Sequence, residues 1–383
     1  MRLWLDQKDD LFAGRKPRPK DENGLTLANL CNAFLASKRT ALEKGTLSPR
    51  SFVEYKRTTD LLINTFGRNR SAADVRPTDF AELLAKLVKK HGLVTLGREI
   101  TMARSVFKFG VESDLLDRAV KFGQEFRVPS KIDKRKERAK SQHQHGKRVF
   151  TAEEIRRLLE NAGPQLKAMI LLGINAGLGN TDCALLPITS IDLKGAMLDY
   201  PRAKTGAQRR AQLWPETVKA IEIVLAKRQK PKDERYAHLV FLTRLGQPWV
   251  RYELAETKDE NGKLKITGKS DDAIAKATTK LLKQLGIYRA KVTSFYTLRH
   301  TLETIGGGCA DQVALDLIMG HLDQSMAENY RHEISDDRLQ SVTNHVRQWL
   351  FPTPVKTTSS TASKPKASTA AKESSKPVLR IVG

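Results

Sequence analysis

The sequence predicts a mainly α-helical protein of two domains, with one small β-hairpin in the second domain. Apolar residues recur at helical spacing through residues 25–125, nearly vanish across 126–147, and return at helical spacing from 148 to 350. Because 383 residues is long for one domain, two folded units joined by the basic linker 126–147 are expected. Residues 1–24 are basic and broken by proline, which predicts a flexible arm, and residues 351–383 lack core-forming side chains, which predicts disorder.

Four helical segments are predicted in the first domain. The first carries an apolar stripe at helical spacing, formed by Leu27, Leu30, Cys31, Phe34 and Leu35. A second helix is expected to start near Ser48 and to stop near Gly67. Thr78 is predicted to cap the third helix, which Gly92 would end, and the fourth covers residues 95–111.

The second domain opens with a helix-start signal. Thr151 followed by Glu154 is a capping-box pattern, and a buried helix comes next along the chain. From Met197 an alternating pattern is interrupted by a Thr205-Gly206 turn, which predicts a β-hairpin. Residues 256–272 are predicted to form an additional polar hairpin or loop, and helices are expected from there to the end of the domain.

The charge balance favours a polyanionic partner. Lys and Arg number 67 against 43 Asp and Glu, a formal net charge of +24. Nucleic acid is the first candidate for such a surface, and the alternative is a basic protein with no nucleic-acid role. The cations of 126–147 are either a solvated linker or a segment that lies along a DNA backbone.

Other classes of protein and site find little support. Cys31, Cys183 and Cys309 lie far apart in apolar or small-residue surroundings, which favours core packing in a reducing compartment over a disulfide framework. No apolar run approaches the roughly 20 residues of a membrane span, and the amino terminus lacks the apolar core of a signal peptide, so a cytoplasmic protein without a membrane partner is expected. His143 and His145 have no ligand-type neighbours at metal-binding spacing.

Cationic and phenolic side chains gather in residues 295–330. Arg299 and His300 open one apolar-periodic run, Gly320 and His321 close a second, and Tyr330 follows nine positions later. A guanidinium holds two nonbridging phosphate oxygens through its planar fork, and an imidazole donates to a phosphate or assists proton transfer. A tyrosine oxygen between such groups could attack a phosphodiester, and because protein cations hold the charge, no metal or cofactor is expected.

A lysine completes the chemistry. Lys204 adjoins the Thr205-Gly206 turn of the predicted hairpin, a tip from which an ammonium could reach a leaving 5′-oxygen. A free phenol has a pKa near 10, so neighbouring cations are the plausible means of making Tyr330 nucleophilic.

In these features the chain resembles the tyrosine recombinases, the phage-integrase family. The resemblance covers most of residues 25–350 and rests on a helical core-binding (SAM-like) domain, a linker, a hairpin lysine, an HxLRH-type box at 296–300, a Gly-His pair and a downstream tyrosine. It implies site-specific cleavage and rejoining of double-stranded DNA through a 3′-phosphotyrosyl intermediate. The implied roles are Lys204 as general acid, Arg299 as phosphate clamp, His321 as third-box histidine and Tyr330 as nucleophile.

The resemblance also implies an assembly. The family works as a tetramer on a synapse of two DNA duplexes, so a homo-tetramer is expected here, with DNA-bending accessory factors as further partners. The predicted fold class becomes the recombinase one: a core-binding domain at 25–125 and an α-rich catalytic domain with a small hairpin sheet at 148–350.

Two positions depart from the family pattern. The first catalytic arginine would stand at Gly179, three residues before Asp182, which matches the family's acidic position. The first residue of the second box, usually histidine or lysine, is Tyr296, which either hydrogen-bonds the phosphate or fills the space of the missing side chain. Losing one preorganised donor costs about 10²–10³ in rate. Either another cation replaces the arginine, with Arg202 and Arg244 as candidates, or strand exchange is severely slowed.

Structural roles and other functions stay open at this point. Tyr330 and Arg299 could each serve packing alone, and Lys204 could belong to an ordinary surface turn. Asp182, Cys183 and His300 are interpreted as structural. The rival functions are a DNA-binding architectural protein that does not complete recombination, and a nicking-closing topoisomerase that uses the same chemistry without a synapse.

Overall fold

Two hydrophobic cores organise this computed structural model, which describes residues 25–258, 264–321 and 333–352. The predicted arm, most of the predicted tail and Tyr330 lie outside the described residues. The first core draws on residues 27–126 and the second on residues 150–350. The described residues are mainly helical, as the sequence predicts, and they include two small antiparallel sheets.

The elements are numbered here in chain order. The helices are α1 Leu27–Glu43, α2 Pro49–Phe66, α3 Pro77–Val88, α4 Leu93–Glu112, α5 Lys131–His145, α6 Ala152–Asn161, α7 Pro164–Asn175, α8 Asn180–Ala184, α9 Pro215–Ala226, α10 Ala273–Gln284, α11 Thr297–Gly306, α12 Gln312–Met319 and α13 Asp336–Leu350. The strands are β1 Ile191–Asp192, β2 Met197–Asp199, β3 Arg210–Gln212, β4 Val250–Lys258 and β5 Leu264–Asp272.

Helices α1–α4 surround the first core, and both predicted boundaries of α3 are wrong. Helix α3 begins at Pro77, and its N-cap is Arg76, whose backbone N–H donates to Asp79 Oδ2 at 2.7 Å. Proline's fixed φ suits the first helical position, so the helix starts before Thr78. Gly92 does not end α3, which stops four residues earlier; it is the N-cap of α4.

The basic segment between the cores is helical where a linker was predicted. Phe126 still belongs to the first core, with its ring centroid 5.1 Å from that of Phe80. Ser130 then caps α5 through a box in which its Oγ accepts from Asp133 N at 3.0 Å. Lys, Arg, Glu and Ala have high helix propensity, which explains a helix that has no buried residue.

The second core is built by α6–α13 around a three-stranded sheet in the order β1-β2-β3. The predicted hairpin forms β2 and β3, with Leu198 opposite Ala211, and β1 adds a strand that the sequence did not indicate. After β3, Trp214 enters the core and its indole N–H donates to Thr343 O of α13 at 2.9 Å. Helix α13 is thereby held against the sheet and α11.

The second sheet is the hairpin β4–β5, which begins at Val250, ahead of the predicted 256–272. It reaches the first domain, where Arg39 Nη2 donates to Glu256 Oε1 at 2.6 Å and Ile266 borders a cavity of about 400 Å³ with α1 and α2. At the hairpin's base Asp272 accepts from Asn180 Nδ2 at 2.9 Å and caps α10. The hairpin thus contacts both domains.

Of the helices described, none has the length and apolar character that crossing a membrane requires.

Candidate active site

Arg299 is buried in the first turn of α11, with 3% of the residue exposed. Its Nη1 donates to Gly177 O at 2.6 Å, while its Nη2 is buried and hydrogen-bonds no described residue. Gly177 has φ of +67°, and a Cβ there would lie 3.3 Å from Nη1 and 2.8 Å from Met319 Sδ. The guanidinium is therefore seated by a glycine turn and keeps free donors for a ligand.

A second arginine, Arg209, is completely buried just before β3. Its Nη2 lies 3.3 Å from Asp182 Oδ2, an ion pair without hydrogen-bond geometry. None of its three guanidinium nitrogens hydrogen-bonds any part of the chain that the structure describes. Its guanidinium carbon lies 5.7 Å from the ring centroid of Tyr200. Burying a charge without hydrogen bonds is costly, so Arg209 is a cation that still lacks acceptors.

The charges around Arg299 form one electrostatic group. Burial lowers the pKa of Arg299 most, and the charges of Arg202 and Arg209 lower it further, while Tyr296 and Asp182 oppose them. An arginine nevertheless remains charged in proteins, so the group holds three cations against one carboxylate. Such a desolvated, positive pocket attracts an anion.

Tyr296 packs against Gly179, the position at which the resemblance would place an arginine. A Cβ at Gly179 would lie 3.3 Å from Tyr296 Cε2, and the ring also contacts His300 edge-on with centroids 5.3 Å apart. Gly179 N donates to Asp182 Oδ2 at 2.9 Å, so Asp182 orients this turn. Burial lowers the pKa of His300, with the Arg148 and Arg299 charges acting in the same direction.

His321 follows Gly320, which ends α12 in the left-handed conformation with φ of +61°. Its Nδ1 lies 3.2 Å from Asp316 Oδ1 and 3.8 Å from Glu303 Oε2, which leaves Nε2 for a ligand. The three ligand-type atoms lie within 4.8 Å of one another, a spacing that also suits a metal ion. The close contact with Asp316 instead suits an imidazole N–H held by a carboxylate, which fixes the ring's orientation.

The other predicted site residues are not shown in contact with Arg299 or His321. Lys204 is exposed at the tip of the β2–β3 hairpin, in a turn where Arg202 O accepts from Gly206 N at 2.8 Å. Of the two candidate substitutes, Arg202 borders the charge group, whereas Arg244 is exposed in a turn of its own. Tyr330 lies outside the described residues.

Arg209 is the functional candidate that sequence reasoning missed. The alternation of the hairpin could have indicated its burial, because Arg209 falls on the same face as Ala207, Ala211 and Leu213, and all four residues are buried. Its neighbour Arg210 points the other way, to ion pairs with Asp199 and Asp336.

Comparison with known proteins identifies the family. Residues 148–336 match the model of the phage integrase family. A crystal structure of a lambda integrase dimer bound to a COC′ core site matches at 13% identity and a TM-score of 0.56, covering 87% of this chain and 85% of that one. A structure of the Tn1549 transposon integrase in complex with transposon right end DNA matches at 14% identity and 0.55, covering 84% and 99%.

A third match is a lambda integrase tetramer bound to a Holliday junction, at 12% identity, a TM-score of 0.54, and 87% and 85% coverage. Likeness at such low identity shows the fold alone, and no curated protein matches the chain. The matched domain carries the Arg299 pocket and His321, and the shared fold extends over both domains. Residues 148–336, the greater part of the second domain, therefore belong to the phage integrase family, the tyrosine recombinases.

Proposed function

We propose that this protein is a site-specific recombinase that cleaves and rejoins double-stranded DNA through Tyr330. The observation that carries the proposal is Arg299, a buried guanidinium whose Nη2 hydrogen-bonds no described residue, in a group of three cations and one carboxylate. His321, oriented by Asp316, supports it as a second donor. A backbone phosphate supplies both the charge and the acceptor oxygens that these donors lack.

The reaction is a transesterification that conserves bonds. The phenolic oxygen of Tyr330 forms a bond to phosphorus, and the bond between phosphorus and the 5′-oxygen breaks. The leaving oxygen takes its proton from Lys204 Nζ, and the tyrosine's proton passes to solvent. A 5′-hydroxyl of a partner strand later attacks the 3′-phosphotyrosyl linkage and releases Tyr330. Arg299 and His321 stabilise the negative charge that grows on the nonbridging oxygens.

The proposed partner is DNA held between the domains at 25–125 and 148–350. A net charge of +24 and the exposed basic helix α5 between the two cores support backbone contacts. The matched integrases are described as bound to DNA, and the lambda protein as a dimer and a tetramer. A homo-tetramer on a synapse of two duplexes is the assembly that we propose here.

A suicide substrate tests the proposal. A duplex is first selected from random DNA for binding to the full chain, and a nick is placed so that the cleaved end diffuses away. The wild type is expected to accumulate a covalent protein–DNA adduct, and Tyr330→Phe, which keeps the ring, is expected to form none. An adduct that persists in Tyr330→Phe would contradict the assignment of the nucleophile.

A binding protein without cleavage is the second candidate, and Gly179 is the observation that favours it. It predicts that the wild type binds the selected duplex yet forms no adduct. A topoisomerase would instead relax supercoiled DNA that lacks the selected sequence. The same preparations distinguish all three functions.

A further inference from the structure

Arg209 is the best-buried cation beside the site, and the reaction described above gives it no part. We infer that Arg209 is the second phosphate-binding arginine, delivered from the β2–β3 hairpin in place of the arginine absent at Gly179. The inference rests on the proposed function and assigns a new residue to it.

Unmet hydrogen-bonding capacity is the first support. Nε, Nη1 and Nη2 of Arg209 are all buried, and none hydrogen-bonds a residue within the described ranges. Buried guanidinium groups normally satisfy most of their five donors. A phosphodiester brings two nonbridging oxygens of the geometry that an arginine fork matches.

Asp182 contacts both Gly179, where the family arginine is expected, and Arg209. One oxygen, Oδ2, accepts from Gly179 N at 2.9 Å and lies 3.3 Å from Arg209 Nη2. The carboxylate that stands three residues after the family's arginine position therefore holds this cation instead. The space that a side chain at 179 would enter is closed by Tyr296, 3.3 Å from the Cβ position.

Arg209 also converges with the groups already assigned to the phosphate. A Cβ at Gly320 would lie 3.2 Å from Arg209 Nε, and His321 is the next residue. A Cβ at Gly177 would lie 3.3 Å from Arg299 Nη1 and 2.8 Å from the sulfur of Met319, the residue before Gly320. The two guanidinium groups thus flank the end of α12, from which His321 emerges.

Electrostatics gives the same answer. Arg209 lowers the pKa of Arg299, as does Arg202, so the cations repel one another in a desolvated pocket. A phosphate carries one negative charge, and its pentacovalent transition state carries more. Two opposed guanidinium groups are therefore used most fully when the transition state is bound.

The test compares Arg209→Met with Arg210→Met in the full chain. The control removes a neighbouring arginine whose ion pairs face the other side of the strand. On the suicide duplex, Arg209→Met is expected to slow adduct formation by about 10²–10³-fold, and Arg210→Met to keep the wild-type rate. Arg209→Lys is expected to fall between, because lysine keeps the charge and loses the fork.

A melting curve and a second substrate together separate phosphate binding from a structural role. Arg209→Met leaves Asp182 without its ion-pair partner, so its melting temperature is expected to fall, and all rates are compared at a temperature at which the variant is folded. A substrate with a neutral methylphosphonate at the scissile position has less charge to stabilise. The rate deficit of Arg209→Met is expected to shrink on that substrate.

Each contrary result has its own meaning. Wild-type cleavage by Arg209→Met overturns the inference and leaves the proposed function intact. An equal deficit of the folded Arg209→Met variant on both substrates assigns Arg209 to structure and also overturns the inference. Absence of any adduct with the wild type overturns the proposed function together with the inference.

Discussion

Gly320→Ala is the sharpest single perturbation of the site. Gly320 has φ of +61°, and an L-residue in the left-handed region costs about 1–2 kcal/mol. The added Cβ would also lie 3.2 Å from Arg209 Nε and 3.3 Å from Arg202 Cβ, so the Arg209 side chain must shift by a few tenths of an ångström. We therefore expect both a loss of stability and a loss of phosphate affinity in the transition state.

Gly286→Ala is the matched control. Gly286 has nearly the same φ, +70°, and belongs to the same domain, but apart from its chain neighbours no described residue comes within 4 Å of its Cβ position. Both variants should therefore be destabilised by the left-handed backbone conformation, and only Gly320→Ala should disturb Arg209 and Arg202. The difference between the variants isolates the contact with Arg209.

Urea unfolding followed by tryptophan fluorescence measures the stability term. Trp214, Trp249 and Trp349 lie in the second domain and Trp4 in the N-terminal segment, so the signal reports mainly on the domain that carries both glycines. With a slope of about 3 kcal/mol per molar urea, a loss of about 1–2 kcal/mol lowers the midpoint by about 0.3–0.7 M. Adduct formation on the suicide duplex, measured well below the midpoint, gives the functional term.

The reasoning fails if both variants cleave DNA at the same rate, because the Arg209 contact would then be irrelevant to the reaction. It also fails if Gly320→Ala unfolds at the wild-type midpoint, because the left-handed backbone cost would then be absent.

Three further predictions follow from charge and burial. DNA affinity should fall linearly on a plot of log binding constant against log salt, and an affinity equal at low and physiological salt in a filter-binding titration would contradict backbone contacts. Hydrogen bonds from Arg347 hold the pKa of Glu216 below its usual range, so the stability that this pair adds is present above about pH 4.3 and is lost as pH falls through the folded pKa. The difference in urea midpoint between the wild type and Glu216→Gln should therefore disappear at low pH, and a difference that is constant with pH would refute this. Burial raises the pKa of Cys31 to about 12 and that of Cys183 well above its usual value, so iodoacetamide at pH 8 should label the partly exposed Cys309 first, and equal labelling rates under native conditions would disprove it.

The helices were predictable because their signals are local. Ser48 caps α2, Gly67 ends it, and the Thr151 box starts α6, all as the sequence indicates. The start of α3 was misjudged because Thr78 is a good cap by type, whereas Pro77 already occupies the first helical position. Helix α5 was missed because it has no apolar stripe, so only its cap and its propensity could indicate it.

The site was predictable in part. Arg299 and His321 carry short-range motifs, and in the structure one borders the positive pocket and the other is held by carboxylates next to it. Arg209 was not predicted because a cationic residue just before a strand of three residues normally faces solvent. Its burial depends on tertiary partners that are distant in sequence, Asp182 and Gly320. The prediction for Tyr330 remains a prediction.

The β4–β5 hairpin connects helix α1 of the first domain to the turn at residues 179–182 beside Arg209. Its outer part is tied to α1 by the ion pair of Arg39 with Glu256, and its root, Asp272, is tied to Asn180, the residue after Gly179. A rotation of one domain against the other must break the outer tie, bend the ribbon or pull on the turn that carries Asp182. In the proposed complex with DNA, a domain rotation that leaves the hairpin and both ties intact would therefore act on the turn whose Asp182 pairs with Arg209.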